Sequence, residues 1–324
     1  MQSRKILPIS LVLLGSMGLA VPAHAQAWPQ KPVVIIVPFA AGGNTDGIAR
    51  MTAQRLGDAF GQQFVVENRG GAGGATAAEM AARAEPNGYT LFMAALPVMA
   101  IVPAMTRTRF NPTKDFAPIS NIGTNPFVLV VNKDVPARTL GEFIAYVRAR
   151  PDALSYASAG AGSLNHLSMA LFLKVADLQM IHVGYKGNGP ALSDVIAGHV
   201  PAMFSNLSDA LPHATSGSIR LLAVSSDKRV AQIPDVPTVS ESGYPQFKTM
   251  TWNGLVAPAG TPRDIIDRIA GELARAVKDP GFVERLSRYG VDPLGNSPEE
   301  FAAMIASDIA LWGDAVNAAG VKNQ

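Results

Sequence analysis

The sequence contains no cysteine, which excludes disulfides, Cys-ligated zinc, iron–sulfur clusters, a Cys nucleophile and a Cys-linked lipid anchor. It also lacks a charge excess. Basic residues number 27 and acidic ones 25, but Arg4 and Lys5 lie in the first 25 residues, which hold no acid. Beyond them the chain has 25 of each sign, so a polybasic nucleic-acid binder is excluded. The histidines past residue 25 stand at 166, 182, 199 and 213, and none has the close helical spacing of a zinc-protease motif. No apolar stretch beyond residue 25 is long enough for a membrane span, which needs about 20 residues. Tandem repeats and low-complexity linkers are also missing. What remains is a chain of 324 residues, 48% apolar and 16% charged, enough for one large domain or two ordinary ones with a real core.

The N-terminus reads as an address. Arg4 and Lys5 precede a mostly apolar run over 6–21, and Ala23-His24-Ala25 places small residues where a signal peptidase reads. Cleavage is expected after Ala25, and the remaining protein is expected to be exported to a bacterial periplasm without being embedded in the membrane.

Short apolar strands then alternate with amphipathic helices, an α/β pattern. Strands are expected over 33–37, 63–67, 89–94, 127–131, 155–158, 180–183, 202–205 and 221–224. A helix is expected over 44–60 with Ile48, Thr52, Leu56, Ala59 and Phe60 on one face, and another over 75–83. Leu140, Phe143, Ile144 and Val147 mark a third helix, Leu164, Leu167 and Leu171 a fourth, and Leu192, Val195 and Ile196 a fifth. The segment 97–118 shows no clear period. C-terminal helices are marked by Ile265, Ile266, Ile269, Leu273 and Val277, then Phe301, Met304, Ile305 and Trp312. Two βα series, 33–95 and 127–224, predict two similar lobes: 26–122 with 225–324, and 123–224.

Two strand-to-helix loops carry candidate chemistry. The first holds Phe39, Ala40, Gly42, Gly43, Asn44 and Asp46. Unpaired backbone N–H groups at a helix N-terminus suit an anion, and glycine lets a ligand approach the backbone. It has neither the Walker A ending nor G-x-G-x-x-G. An ordinary tight turn, capped by Asn44 or Thr45 with Asp46 in the first turn, explains it equally well. The second loop holds Ala159, Gly160, Gly162, Ser163 and, one turn on, His166. Ser163 can cap the helix or donate to a carboxylate. A nucleophile–base pair of Ser163 and His166 is the enzyme reading, but the G-x-S-x-G elbow and an orienting third group are missing. A third cluster, Gly70 to Gly74, fits close helix packing. Tyr185, Lys186, Asn188 and Asn206 follow strands of the second lobe and can line a cleft, and Trp252 either covers that cleft or fills the core.

These residues carry a resemblance. Trp28-Pro29-Gln30-Lys31-Pro32, Val37-Pro38-Phe39-Ala40-Ala41-Gly42-Gly43 with Asp46, Val66-Glu67-Asn68-Arg69-Gly70-Gly71-Ala72-Gly73, Ala159-Gly160-x-Gly162-Ser163-x-x-His166-Leu167, Val183-Gly184-Tyr185-Lys186-Gly187, Ile233-Pro234-Asp235-Val236-Pro237-Thr238 and Pro258-Ala259-Gly260-Thr261-Pro262 resemble, in order and spacing, the Bug family. These are the solute-binding proteins of tripartite tricarboxylate transporters. The resemblance implies a type II periplasmic binding fold of two α/β lobes, in which a small organic carboxylate is pinched between the 39–46 and 159–166 loops. It carries over Phe39, Ala40, Gly43, Asp46, Gly160, Gly162, Ser163 and His166. Asp46 is expected to cap its own loop rather than meet the carboxylate, unless the ligand carries an amine. Membrane permease subunits are the implied partners, with no cofactor, no catalysis and a monomeric state. A periplasmic sensor and an exported serine hydrolase are the alternatives.

Overall fold

A computed structural model describes residues 28–185 and 187–319. The expected signal segment, Lys186 and residues 320–324 lie outside the described residues. In chain order the elements are β1 Val33–Val37, α1 Asn44–Phe60, β2 Phe64–Asn68, α2 Ala75–Ala82, β3 Thr90–Ala95, α3 Val102–Met105, β4 Phe116–Asn132, α4 Leu140–Arg148, β5 Ser155–Ser158, α5 Leu164–Ala176, β6 Ile181–Gly184, α6 Asn188–Ala197, β7 Ala202–Asn206, α7 Leu207–Thr215, β8 Ile219–Val224, β9 Met250–Pro258, α8 Arg263–Ala276, α9 Pro280–Arg288, β10 Asp292–Pro293 and α10 Pro298–Ala319.

The strands form two connected sheets. One runs β2-β1-β3-β9-β4, with β10 also on β4; β1 is parallel to β2 and β3, and β9 is antiparallel to β3 and β4. The other runs β8-β4-β7-β5-β6, with β5 parallel to β6 and β7, and β4 antiparallel to β7 and β8. Strand β4 belongs to both. It pairs β9 through Pro126 and passes to β7 at Phe127.

The sequence reading sees only the second half of β4. Its first half carries Pro118, Asn121, Gly123 and Pro126, which break any apolar alternation, and its register shifts twice against β9. The polar residues are tolerated because the fold pairs them. Asn125 Nδ2 donates to the Tyr289 and Gly290 carbonyls, at 3.3 and 3.2 Å, and the Asn121 amide donates to Asn296 at 2.8 Å.

Helix α1 has the expected bounds, and Ile48, Ala49, Thr52, Ala53 and Leu56 are buried on it. Ala59, placed on that face by periodicity, is exposed, because the helix ends one residue later at Phe60 and Gly61 follows in the left-handed region, φ 67°. Segment 97–118 is not irregular throughout. A π-helical turn over Pro97–Ile101 runs directly into α3. Trp252 is core rather than a cleft cover: it is 1% exposed, edge-on to Phe301, and its Nε1 donates to Asp308 Oδ2 at 2.6 Å. The Gly70–Gly74 cluster packs, since a Cβ on Gly74 would stand 2.6 Å from Val98 and 3.0 Å from Pro38.

Candidate functional site

The first loop leaves β1 at Pro38 and enters α1. Its N-cap is Gly43, not Asn44 or Thr45, and no side chain caps it. The first helical bond runs from Gly47 N–H to the Gly43 carbonyl at 3.0 Å. The amides of the first turn therefore point out of the helix at the positive end of its dipole.

Gly42 needs glycine because its φ is +87°. Gly43 does not: its φ is −84°, and the nearest atom to an added Cβ is the Ala40 carbonyl oxygen at 3.9 Å. The missing side chain leaves space beside the helix end. Phe39 is half-buried and Ala40 exposed.

Asp46 is buried and turned onto its own loop. Its Oδ2 accepts from the Gly42 amide and from Arg50 Nε, both at 2.9 Å, and its Oδ1 accepts from Asn68 Nδ2 at 2.9 Å. Asn68 Nδ2 also donates to the Phe39 carbonyl at 2.9 Å. Although burial raises the pKa, the hydrogen bonds from Arg50, Gly42 and Asn68 together hold the carboxyl below its ordinary value. The Gly42 amide is thus occupied within the loop, and the carboxylate rigidifies the turn.

The second loop leaves β5 and enters α5. Ser163 is its N-cap, and its Oγ accepts from the His166 amide at 3.3 Å. An accepting hydroxyl keeps its proton free to donate. Gly160 and Gly162 have φ of +124° and +72°. A Cβ on Gly162 would fall 2.0 Å from the end of Met105, which reaches it from α3. Ala159 and Gly160 are half-buried, and the Ala159 carbonyl accepts from Gly187 at 3.2 Å.

His166 Nδ1 accepts from the Gly162 amide at 2.9 Å, which leaves the ring proton on Nε2. No hydrogen bond joins the imidazole to Ser163 Oγ among the described residues, so the pair needed for a serine nucleophile is not assembled. The ring instead stacks on His182 from β6, centroids 3.8 Å apart and planes within 6°. Burial, with His182 adding to it, lowers the His166 pKa to about 4. Burial lowers that of His182 as well, and its Nε2 meets Ser158 Oγ at 2.6 Å. Neutral rings therefore support this loop, and anion attraction falls to backbone dipoles.

The two helix ends are joined by side chains. Asn165, in the first turn of α5, donates to Asn188 Oδ1 at 2.9 Å. Asn188 donates to Asp209 Oδ2 at 2.6 Å, and Ser208 Oγ donates to Asp209 Oδ1 at 3.3 Å. Asn44, the first residue of α1, donates to Ser208 Oγ at 3.0 Å. Asn253 of β9 donates to Asn44 Oδ1 at 3.2 Å. This relay runs from the helix after the second loop, through the starts of α6 and α7, to the helix after the first loop. Burial pushes the Asp209 carboxyl up, while hydrogen bonds from Asn188, Ser208 and Asn206 and the nearby His213 pull it partly back.

Asn206 sits at the head of α7, with its side-chain oxygen buried and unpaired. Asn44 is spent on the bridge between the sheets. Tyr185 is tied away to Asp194 at 2.6 Å, while Asn188 belongs to the relay. Sequence reasoning missed Ser208, Asp209, Asn253 and His182. The run Asn206-Leu207-Ser208-Asp209 straight after a strand is a helix-start signal that was present, but Pro212 inside α7 obscured the helix. Two open surface depressions of about 500 and 530 Å³ lie elsewhere, over 133–142 with Arg220 and over 53–65.

Among the described residues no helix is long and apolar enough to cross a membrane, and no cluster of three or more acidic or His residues is placed to hold a metal. Residues 48–321 match the model of the tripartite tricarboxylate transporter family receptor. A solved structure of the periplasmic binding protein BugD is 34% identical over 92% of this chain and 100% of its own, with a TM-score of 0.83. R. palustris Rpa4515, solved with adipate, is 34% identical over 91% of this chain and 99% of its own, at a TM-score of 0.86. MatC from Rhodopseudomonas palustris, solved with bound malate, is 33% identical over 89% of this chain and 100% of its own, at a TM-score of 0.80.

Proposed function

The chain belongs to the tripartite tricarboxylate transporter receptor family, and from that premise we propose that it captures a small organic carboxylate in the periplasm and hands it to membrane permease subunits. The lobes of the proposal are 26–122 with 225–324, and 123–224, meeting within β4. One observation carries the reading: two glycine loops from the two sheets are brought together by the Asn165–Asn188–Asp209–Ser208–Asn44 relay. Each loop opens onto a helix N-terminus.

In this reading the carboxylate lies between 39–46 and 159–166. The first-turn amides of α1 and the Ser163 hydroxyl face it. Helix ends and hydroxyls can hold an anion without an arginine. Asp46 shapes the first loop from behind. Contacts from both lobes favour the closed arrangement by their differential affinity. Adipate and malate, held by two relatives, are both dicarboxylates, which supports the ligand class. The protein acts as a receptor and not a hydrolase, in keeping with a His166 ring turned to Gly162 and His182. Export of a monomer with cleavage after Ala25 belongs to the same proposal.

The test is a thermal-shift panel on refolded protein, with adipate, malate and their diamides. A ligand at 100 times its Kd adds about 2.7 kcal/mol, a rise of roughly 5–10 °C for a chain of this size. Shifts by an acid and not by its amide are expected. Equal shifts by acid and amide, or a flat panel across acids, would overturn the reading.

A further inference from the structure

The relay has a direction. Asp209 is a carboxylate and therefore accepts only. Ser208 must then donate to it, so Ser208 Oγ can only accept from Asn44. With Asn44 Nδ2 spent on Ser208, Asn44 Oδ1 is the acceptor for Asn253 Nδ2. Asn253 is thereby left presenting its carbonyl oxygen. That residue is 1% exposed, and among the described residues its Oδ1 has no donor. Asn206 Oδ1, three residues before Asp209, is also buried without a donor among the described residues. Asp209 itself has three of about four lone-pair sites filled, by Asn188, Ser208 and Asn206.

All these unmet groups are acceptors: Asn253 is bonded to Asn44 at the start of α1, and Asn206 and Asp209 stand at the start of α7, whose Ser208 is bonded to the same Asn44. A buried acceptor without a partner is costly and calls for a donor. A plain dicarboxylate at neutral pH has none to give, and its second carboxylate would be repelled by Asp209.

We propose that the bound acid carries a hydrogen-bond donor on its carbon chain, a hydroxyl or an ammonium group, and that Asn206, Asp209 and Asn253 read it. This rests on the carboxylate reading above and adds a specificity determinant to it. One end of the ligand meets helix N-termini and the other meets oxygens. A simple diacid satisfies the first end only.

The test uses two series matched in skeleton: succinate, malate and aspartate, and glutarate, 2-hydroxyglutarate and glutamate. Calorimetry on refolded protein should show the hydroxy or amino acid at least about tenfold tighter than the plain acid of its series, and the tighter of the two names the donor. In Asp209→Asn, a shape-conserving change, that ratio should fall by about tenfold. Asn206→Ala should lower it too, and serves if Asp209→Asn does not fold. A plain acid that binds as tightly as its substituted partner, or adipate binding while no substituted acid does, would overturn this proposal alone and assign the acceptors to water. A ratio unchanged in both variants would remove these residues from recognition. Absence of binding by every acid would overturn the carboxylate reading and this proposal together.

Discussion

Acid should unfold this protein partly through one ring. His166 accepts the Gly162 amide through Nδ1 and lies face to face with His182 at 3.8 Å. Protonation would break the first contact and set a charge against the second ring. Burial has lowered the pKa from 6.5 to about 4. As pH falls below 6.5 the unfolded chain takes up the proton before the folded one does. Stability from this ring is therefore full above about pH 6.5, declines through the window below it, and is lost by about pH 4. The full difference corresponds to about 3.4 kcal/mol; the ring is half-buried and partly screened by water, so about 2 kcal/mol is expected. The control is His166→Asn, whose Oδ1 can still accept from Gly162 but does not titrate. Urea midpoints of both proteins should be compared from pH 7.5 to 4. The wild type should lose roughly 0.7–1 M more than the variant across that range. Parallel midpoint profiles would refute the argument.

Two substitutions separate the roles of the loop glycines. Gly43→Val should fold, since its φ of −84° is ordinary and an added Cβ meets nothing closer than 3.9 Å; calorimetry should show most carboxylate affinity lost while the melting temperature moves little, and retained affinity would take the loop out of the site. Gly162→Ala should cost about 1–2 kcal/mol from its positive φ alone, with more from Met105 at 2.0 Å. Adding Met105→Ala should recover only the packing part, read as a partial return of the melting temperature.

Much of the architecture was legible because it rests on local physics. The β-branched run of β1, the period of α1, the Ser163 cap and the glycine-rich loops are decided within a few residues of themselves. Strand bounds drifted by a residue, as in β2, which starts at Phe64 rather than Gln63, because ladder pairing and not composition ends a strand. Strand β9 was missed for a tertiary reason. Asn253 and Gly254 interrupt its apolar pattern, yet Gly254 is required there, since a Cβ would stand 2.2 Å from the Phe301 ring and 3.0 Å from the Ser120 carbonyl. Helix α7 was hidden by Pro212. Asp209 and His182 carried no local signal, because their partners come from other elements.

The amino-acid sequence alone determined the α/β class, the two strand–loop–helix units and their exposed helix ends, since each follows from side chains within about one turn of one another. Which ends meet was decided only by the tertiary structure. Asn44 finds Ser208 164 residues away and Asn253 209 residues away, and His166 of α5 finds its stacking partner on strand β6. Hydrogen bonds across such separations form only after the sheets have closed the intervening chain, so their partners and their donor direction belong to the fold and not to any local run of residues.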